Sequence, residues 1–188
     1  MTKIIFSIPG RPTAWMRAGS SGERRFTPKK MKVAKQAIST ECRRAMGTQG
    51  PITGPVRIQM MAIYAIPASW SPALKEAAQR GEIFHVSRPD LDNLEKNLLD
   101  ALNGIAFMDD CQVAELMCRK RYGHPERTDV TIWHIEQLDV PATPGQRRLE
   151  ARIADDKLTA AKPRRKPSAK PLTRLEEAVS RALAKDGA

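Results

Sequence analysis

Val56, Ile58, Met60, Ala62, Tyr64 and Ile66 occupy every second position of one short stretch. A period of two places all six on one face of an extended strand, so the segment predicts a strand resting on a core. A strand needs neighbours, and the chain offers them. Ile4, Phe6 and Ile8 alternate in the same way until Pro9-Gly10-Arg11-Pro12 ends the run. Two further strands are expected over residues 112–121 and 129–136, joined through Gly123 as an antiparallel pair. Helices are expected between them. Residues 29–46 form one, and residues 71–80 form a second that opens on Ser71-Pro72 and stops at Gly81. The fold class that follows is α/β: a single domain over residues 1–140 with a mixed β-sheet packed against helices.

A third helix carries the chemistry. Leu91, Leu94, Leu98, Ala101, Leu102 and Ile105 recur at three- and four-residue spacing, with Gly104 as the stop signal. Asp92, Lys96, Asp100 and Asn103 then share its polar face. Pro89 keeps Arg88 out of helical geometry and makes Asp90 the first capping position. With Asp109 and Asp110 after the helix, five aspartates and Lys96 fall within 23 residues of a basic chain. A hard divalent cation takes oxygen ligands of this kind, together with phosphate oxygens of a substrate. A helix followed by a turn is expected to return Asp109 and Asp110 to the side of Asp90 and Asp92.

Spacing alone leaves a plainer reading open. An Asp at a helix start often only caps it, and Asp92 with Lys96 has the spacing of an ordinary helical ion pair worth a few tenths of a kcal/mol.

The run RPDLDNLEKNLLDALNG, then FMDDCQV, then RKRYG, resembles the RusA-type Holliday-junction resolvases, whose hallmark is a D-x-D-N-x-x-K element followed by D-D-x-Q-V. Residues 88–123 carry the likeness most specifically, and it extends more weakly from the first strand to about residue 138. The resemblance implies a nuclease that hydrolyses DNA phosphodiesters in recombination and repair. It places the metal-binding carboxylates on Asp90, Asp92 and Asp110 and the essential lysine on Lys96, with Asp109 and Asp100 at further acidic positions of the pattern. It also implies Mg2+ as cofactor with Mn2+ as a substitute, four-way branched DNA as partner, a homodimer, and a bacterial or prophage-encoded cytoplasmic protein.

The charge balance suits a polyanion partner. The chain carries 32 Lys and Arg against 21 Asp and Glu, a formal net charge of +11. Residues 11–44 hold ten of those cations against only Glu23 and Glu41. Arg11, Arg17, Arg24, Arg25, Lys29 and Lys30 are therefore expected to contact phosphate, and Lys120 with them. Carboxylates repel phosphate, so an acid cluster set in such a face is unfavourable unless a cation bridges the two. That argument favours a metal-dependent endonuclease over its alternatives, a basic DNA-binding protein without catalysis or a related nuclease cutting flaps or duplex DNA.

The remaining features set bounds. Cys42, Cys111 and Cys118 make neither a paired framework nor a C-x-x-C element, which argues for a reducing compartment and against zinc. His85, five residues before Asp90, is placed either near the site or at the surface. No apolar run approaches the roughly 20 residues that span a bilayer. The first residues, broken early by Pro9-Gly10, do not read as a signal peptide. Beyond residue 140 the composition shifts. Prolines 141, 144, 163, 167 and 171 and the run Lys162 to Lys166 predict a disordered basic linker over 141–171. Leu172, Leu175, Val179 and Leu183 allow a short amphipathic helix over 172–186.

Overall fold

The computed structural model describes residues 3–17, 19–21, 24–26, 28–136 and 143–160. In chain order the elements are β1 (Lys3–Pro9), β2 (Gly19–Ser21), β3 (Arg24–Phe26), α1 (Lys29–Met46), β4 (Val56–Tyr64), α2 (Pro72–Arg80), α3 (Leu91–Leu102), a single 3-10 turn (Asp110–Gln112), β5 (Val113–Tyr122), β6 (Arg127–His134) and α4 (Pro144–Ala160). They divide into two compact units, residues 1–143 and residues from Pro144 onward.

In the first unit β1, β6, β4 and β5 form one mixed sheet in that order. β1 and β6 are antiparallel, β6 and β4 are antiparallel, and β4 and β5 are parallel. The expected pairing of the last two strands through Gly123 does not occur, because β4 lies between them. The reason is burial: β4 is the most deeply covered strand, with Val56, Ile58, Met60, Ala62, Ile63 and Tyr64 all buried, and a strand of that character takes a central place with ladders on both sides. Gly123, directly after β5, instead donates its N–H to the carbonyl of Tyr64 and ties the end of β5 to the end of β4. The short strands β2 and β3 pair separately with each other.

Alternation decides which face is covered. Ile4, Phe6 and Ile8 of β1, the inward set of β4, and Val130 and Ile132 of β6 form one cluster with Ile38, Cys42 and Met46 of α1 and with Leu94, Leu98, Ala101 and Leu102 of α3. One face of the sheet therefore carries both long helices. Residues of the other set, such as Ile5 and Arg57, stay exposed.

Parallel neighbours cannot be joined by a tight turn, and here the connection from β4 to β5 passes through α2 and α3. Ser71 caps α2 by accepting the N–H of Leu74, and Gly81 ends it at φ 79°, a left-handed geometry that glycine adopts without a side-chain clash. α3 begins at the Asp90 cap, as expected, and ends at Asn103, with Gly104 following at φ 71°. Its 12 residues rise about 18 Å at about 1.5 Å per residue. That length carries the chain from one end of the sheet to the other, where Ile52 bridges to Phe107 beside the entry to β4.

The second unit contributes α4. The expected linker over 141–171 thus contains a helix at Pro144–Ala160. The prolines that suggested a linker flank this stretch: Pro144 opens the helix, where a missing N–H costs nothing, and the next is Pro163. The helix expected over 172–186 lies outside the described residues.

Candidate active site

Asp90 sits at the N-cap of α3 in extended geometry, yet its carboxylate accepts no capping hydrogen bond and is exposed. An aspartate at this position ordinarily satisfies a free N–H of the first turn, so the plain capping reading does not describe Asp90. Asp92 is likewise exposed in the first turn, with a 3.3 Å bond from the neighbouring Asn93 Nδ2. Two carboxylates therefore project from the start of one helix.

Two of the other acids have structural partners. Asp100 pairs with Lys35 of α1 at 2.9 Å. Asp109 caps the 3-10 turn: its Oδ1 accepts from Cys111 N at 3.1 Å, while Gln112 Oε1 accepts from Asp109 N at 3.0 Å, a reciprocal capping box. The sequence pattern alone could not separate these roles.

The backbone around Asp90 is held from two directions. Lys120 of β5 donates from Nζ to the carbonyls of Ser87 (2.8 Å) and Pro89 (2.9 Å), on either side of the cis Arg88–Pro89 peptide. Lys120 was expected to meet phosphate; its half-buried ammonium is instead directed at the loop that delivers Asp90. From β1's exit, Trp15 N–H donates to Asn93 O at 2.7 Å, and Asn97 Nδ2 donates to Thr13 O at 2.8 Å. Lys96 completes this contact, its Nζ lying 4.2 Å from the centre of the Trp15 ring. No ion pair joins Lys96 to Asp92 among the described residues, so the helical pair that spacing allowed is not formed.

Between the 11–17 segment and the start of α3 lies a cleft of about 1120 Å³. Arg11, Arg17, Lys30 and Arg88 line it, and among the described residues Asp90 is the single carboxylate on its wall. Lys29 lines an adjoining cavity of about 560 Å³ with Lys30 and Arg11. Arg24 and Arg25 lie in β3, and their side chains fall outside the described residues. Sequence reasoning passed over Arg88 and Trp15 as site residues. Both carried a signal, Arg88 as the first residue of the acidic motif and Trp15 as an aromatic residue inside a basic loop.

Behind the cleft, His85 is buried and stacked on Tyr64 with ring centres 4.0 Å apart. Burial, with Lys120 and Arg11 adding repulsion, holds the imidazole below its usual pKa. Burial also pushes the Tyr64 phenol up to about 12. His85 is therefore a buried, neutral imidazole in the segment before Asp90 rather than a surface residue.

Asp110 stands elsewhere. It opens the 3-10 turn whose Gln112 donates to the carbonyls of Ile52 (2.9 Å) and Gly54 (2.8 Å), at the entry to β4. Asp90 is tied by Lys120 to the opposite end of β5. Among the described residues no three His, Cys, Asp or Glu side chains are close enough to hold a metal ion. The turn after α3 thus does not return Asp110 to Asp90 and Asp92: α3 spends its whole length moving away from them. Within one chain Asp90 and Asp92 suit a hard cation that keeps several waters, and the third expected carboxylate does not reach them.

Comparison with known proteins adds to this geometry. An uncharacterised protein, YqaN of Bacillus subtilis (strain 168), is 34% identical over 128 residues, which cover 67% of this chain and 88% of that protein. The family model for endodeoxyribonuclease RusA matches residues 9–133, a span that begins at the end of β1, holds the cleft and the acidic helix, and closes near the end of β6. The chain belongs to the RusA endodeoxyribonuclease family.

Proposed function

We propose that this protein is a Mg2+-dependent endodeoxyribonuclease, with Mn2+ as a substitute, that resolves four-way DNA junctions as a homodimer by paired symmetric nicks. The observation that carries the reading is the Asp90 carboxylate, which caps nothing and faces a cleft lined by Arg11, Arg17, Lys30 and Arg88. An acid left free amid cations that attract phosphate is explained by a divalent ion between them. The bound ion supplies charge neutralisation at phosphorus and a more acidic water.

This chain's residues do the rest. The four cations of the cleft draw in the DNA backbone and set its path past the start of α3. Asp90 and Asp92 would hold the cation, and Lys96 offers a mobile positive charge for the additional negative charge of the transition state. Trp15 keeps the Lys96 ammonium over its ring until the phosphate arrives. A junction is resolved when two strands of like polarity are nicked, and two equivalent sites related by a two-fold axis match that requirement.

The direct test is cleavage of a synthetic four-way junction beside a linear duplex and a flap of the same sequence, with and without Mg2+. Symmetric nicks in the junction alone, dependent on Mg2+, support the proposal. Equal cutting of all three substrates would replace junction resolution by general nuclease activity, and tight junction binding with no cleavage in either metal would leave a binding protein.

A further inference from the structure

The cavity of about 560 Å³ that adjoins the cleft is walled by β1, β4, α1 and α3. Its apolar surface comes from Ile8, Val33, Ile38, Met60, Leu94 and Leu98. Arg11, Lys29 and Lys30 belong to the same lining as exposed side chains, and among the described residues no acidic side chain does. Mostly apolar walls, a few placed polar groups and a volume between about 300 and 1,000 Å³ characterise small-ligand sites.

Asn97 is the polar group of this lining that the core leaves unexplained. It stands on the α3 face that carries Leu94, Leu98 and Ala101, and it is 1% exposed. Its Nδ2 donates to the Thr13 carbonyl at 2.8 Å, which fixes the orientation of the amide, since a carbonyl only accepts. The remaining atom, Oδ1, has no hydrogen-bond partner. Buried amide oxygens are nearly always satisfied, so this one calls for a donor.

These features define an occupant with an apolar body, an N–H donor at its inner end and an anion at its outer end. A fatty acid lacks the inner donor. A nucleotide has all three, in the faces of the base, its N–H edge and its phosphate. The cavity also shares Arg11, Pro12, Thr13 and Lys30 with the cleft, so a strand whose phosphates follow the cleft carries its bases past the cavity. Taking a base out of the stack costs least where pairing is already disturbed, as at a branch. We propose that the cavity is a nucleotide subsite: one unstacked base lies between α1 and α3 with an N–H on Asn97 Oδ1, and its phosphate meets Arg11, Lys29 and Lys30. The proposal rests on the reading of the adjoining cleft as the path of the DNA backbone. A free mononucleotide has the same chemistry, and the test separates the two sources.

The test uses full-length protein without divalent ions, so that no strand is cut, at concentrations that saturate a gel shift for each variant. Four-way junctions carry the fluorescent base 2-aminopurine at successive positions outward from the branch, and a linear duplex carries it at the same positions. The probe brightens when it leaves the stack. At one junction position the wild type should raise the fluorescence several-fold. Ala34→Phe, which fills the cavity and keeps Arg11, Lys29 and Lys30, should remove that rise; Ala37→Leu is the second filling variant should Ala34→Phe fail to fold. In parallel, the free 2-aminopurine deoxynucleoside monophosphate is titrated with protein and its anisotropy followed. Deoxyadenosine monophosphate should displace it at about 10-fold lower concentration than the analogue without the amino group, which brings no donor to Asn97 Oδ1. A rise in the junction identifies a strand nucleotide as the occupant, and anisotropy that the filling variants abolish, with no junction position brightening, identifies a free mononucleotide. A signal that survives both filling variants, or no signal in either arm, overturns the proposal. Equal displacement by the analogue or by deoxyribose phosphate overturns it as well, leaving a phosphate site without a base. A failed gel shift refutes the cleft reading alone, and the mononucleotide arm then decides the cavity.

Discussion

The Lys96 ammonium lies 4.2 Å from the centre of the Trp15 ring, so the one lysine of the acidic motif is positioned by an aromatic residue 81 positions earlier in the chain. A cation over an aromatic face is held by about 0.5–1 kcal/mol at an exposed site, enough to bias the lysine without immobilising it. Trp15→Ala should therefore slow cleavage a few-fold at unchanged Mn2+ affinity, and Trp15→Phe should retain more activity than Trp15→Ala. Lys96→Ala should lose about 10²- to 10³-fold in turnover, as with other transition-state donors. Single-turnover cleavage rates measure both, and an unaffected Lys96→Ala enzyme would reduce this lysine to a surface charge.

Asp90→Asn and Asp92→Asn should abolish cleavage while leaving junction binding equal or tighter. The substitutions remove negative charge from the edge of a cationic cleft and take away no buried contact. Asp100→Asn should instead keep its activity, because that carboxylate faces Lys35. Gel-shift titration beside cleavage separates the two effects.

Lys120→Met removes the two hydrogen bonds that hold the Ser87 and Pro89 carbonyls. Bonds to charged groups contribute about 1.5–3 kcal/mol each, of which part is recovered by water at this half-buried position. We expect a larger loss of turnover than of junction affinity, since the clamp sets the position of Asp90 and leaves the cleft cations in place. An equal loss of both would assign Lys120 to phosphate binding.

Acid should destabilise the fold through His85. Its folded-state pKa lies below the usual 6.5, because burial opposes the charged form. Stability from this group is complete above the unfolded value and falls as pH drops through 6.5 toward the lowered folded value. Urea unfolding at a series of pH values from 8 to 5 should show that loss, and His85→Phe should remove this pH dependence.

A chain ending at Thr143 should fold and cut junctions, because residues 1–143 form a compact unit of their own. Residues 145–188 carry twelve Lys and Arg against six acidic residues. Loss of their phosphate contacts should flatten the dependence of junction affinity on salt. An unchanged slope would show that this region does not touch DNA.

Local patterns were sufficient for much of this molecule. Alternation in β1 and β4, the three-and-four spacing of α3, Ser71 and Gly81 at the ends of α2, and Pro89 before Asp90 each act over a few residues, so the chain by itself determined those elements and the face each one buries. The D-x-D-N-x-x-K and D-D-x-Q-V elements identified the family for the same reason. Order in the sheet was a different matter. β4 stands between β5 and β6 because its neighbours compete to cover its apolar surface, and that competition involves residues far apart in sequence. The same long-range packing decided which acids are free. Asp100 meets Lys35 across two helices, Lys120 reaches back some 30 residues to the Asp90 loop, and the length of α3 carries Asp110 to the far end of the sheet. Spacing in a sequence records what each residue can do; only the tertiary fold determined which of these groups share one place.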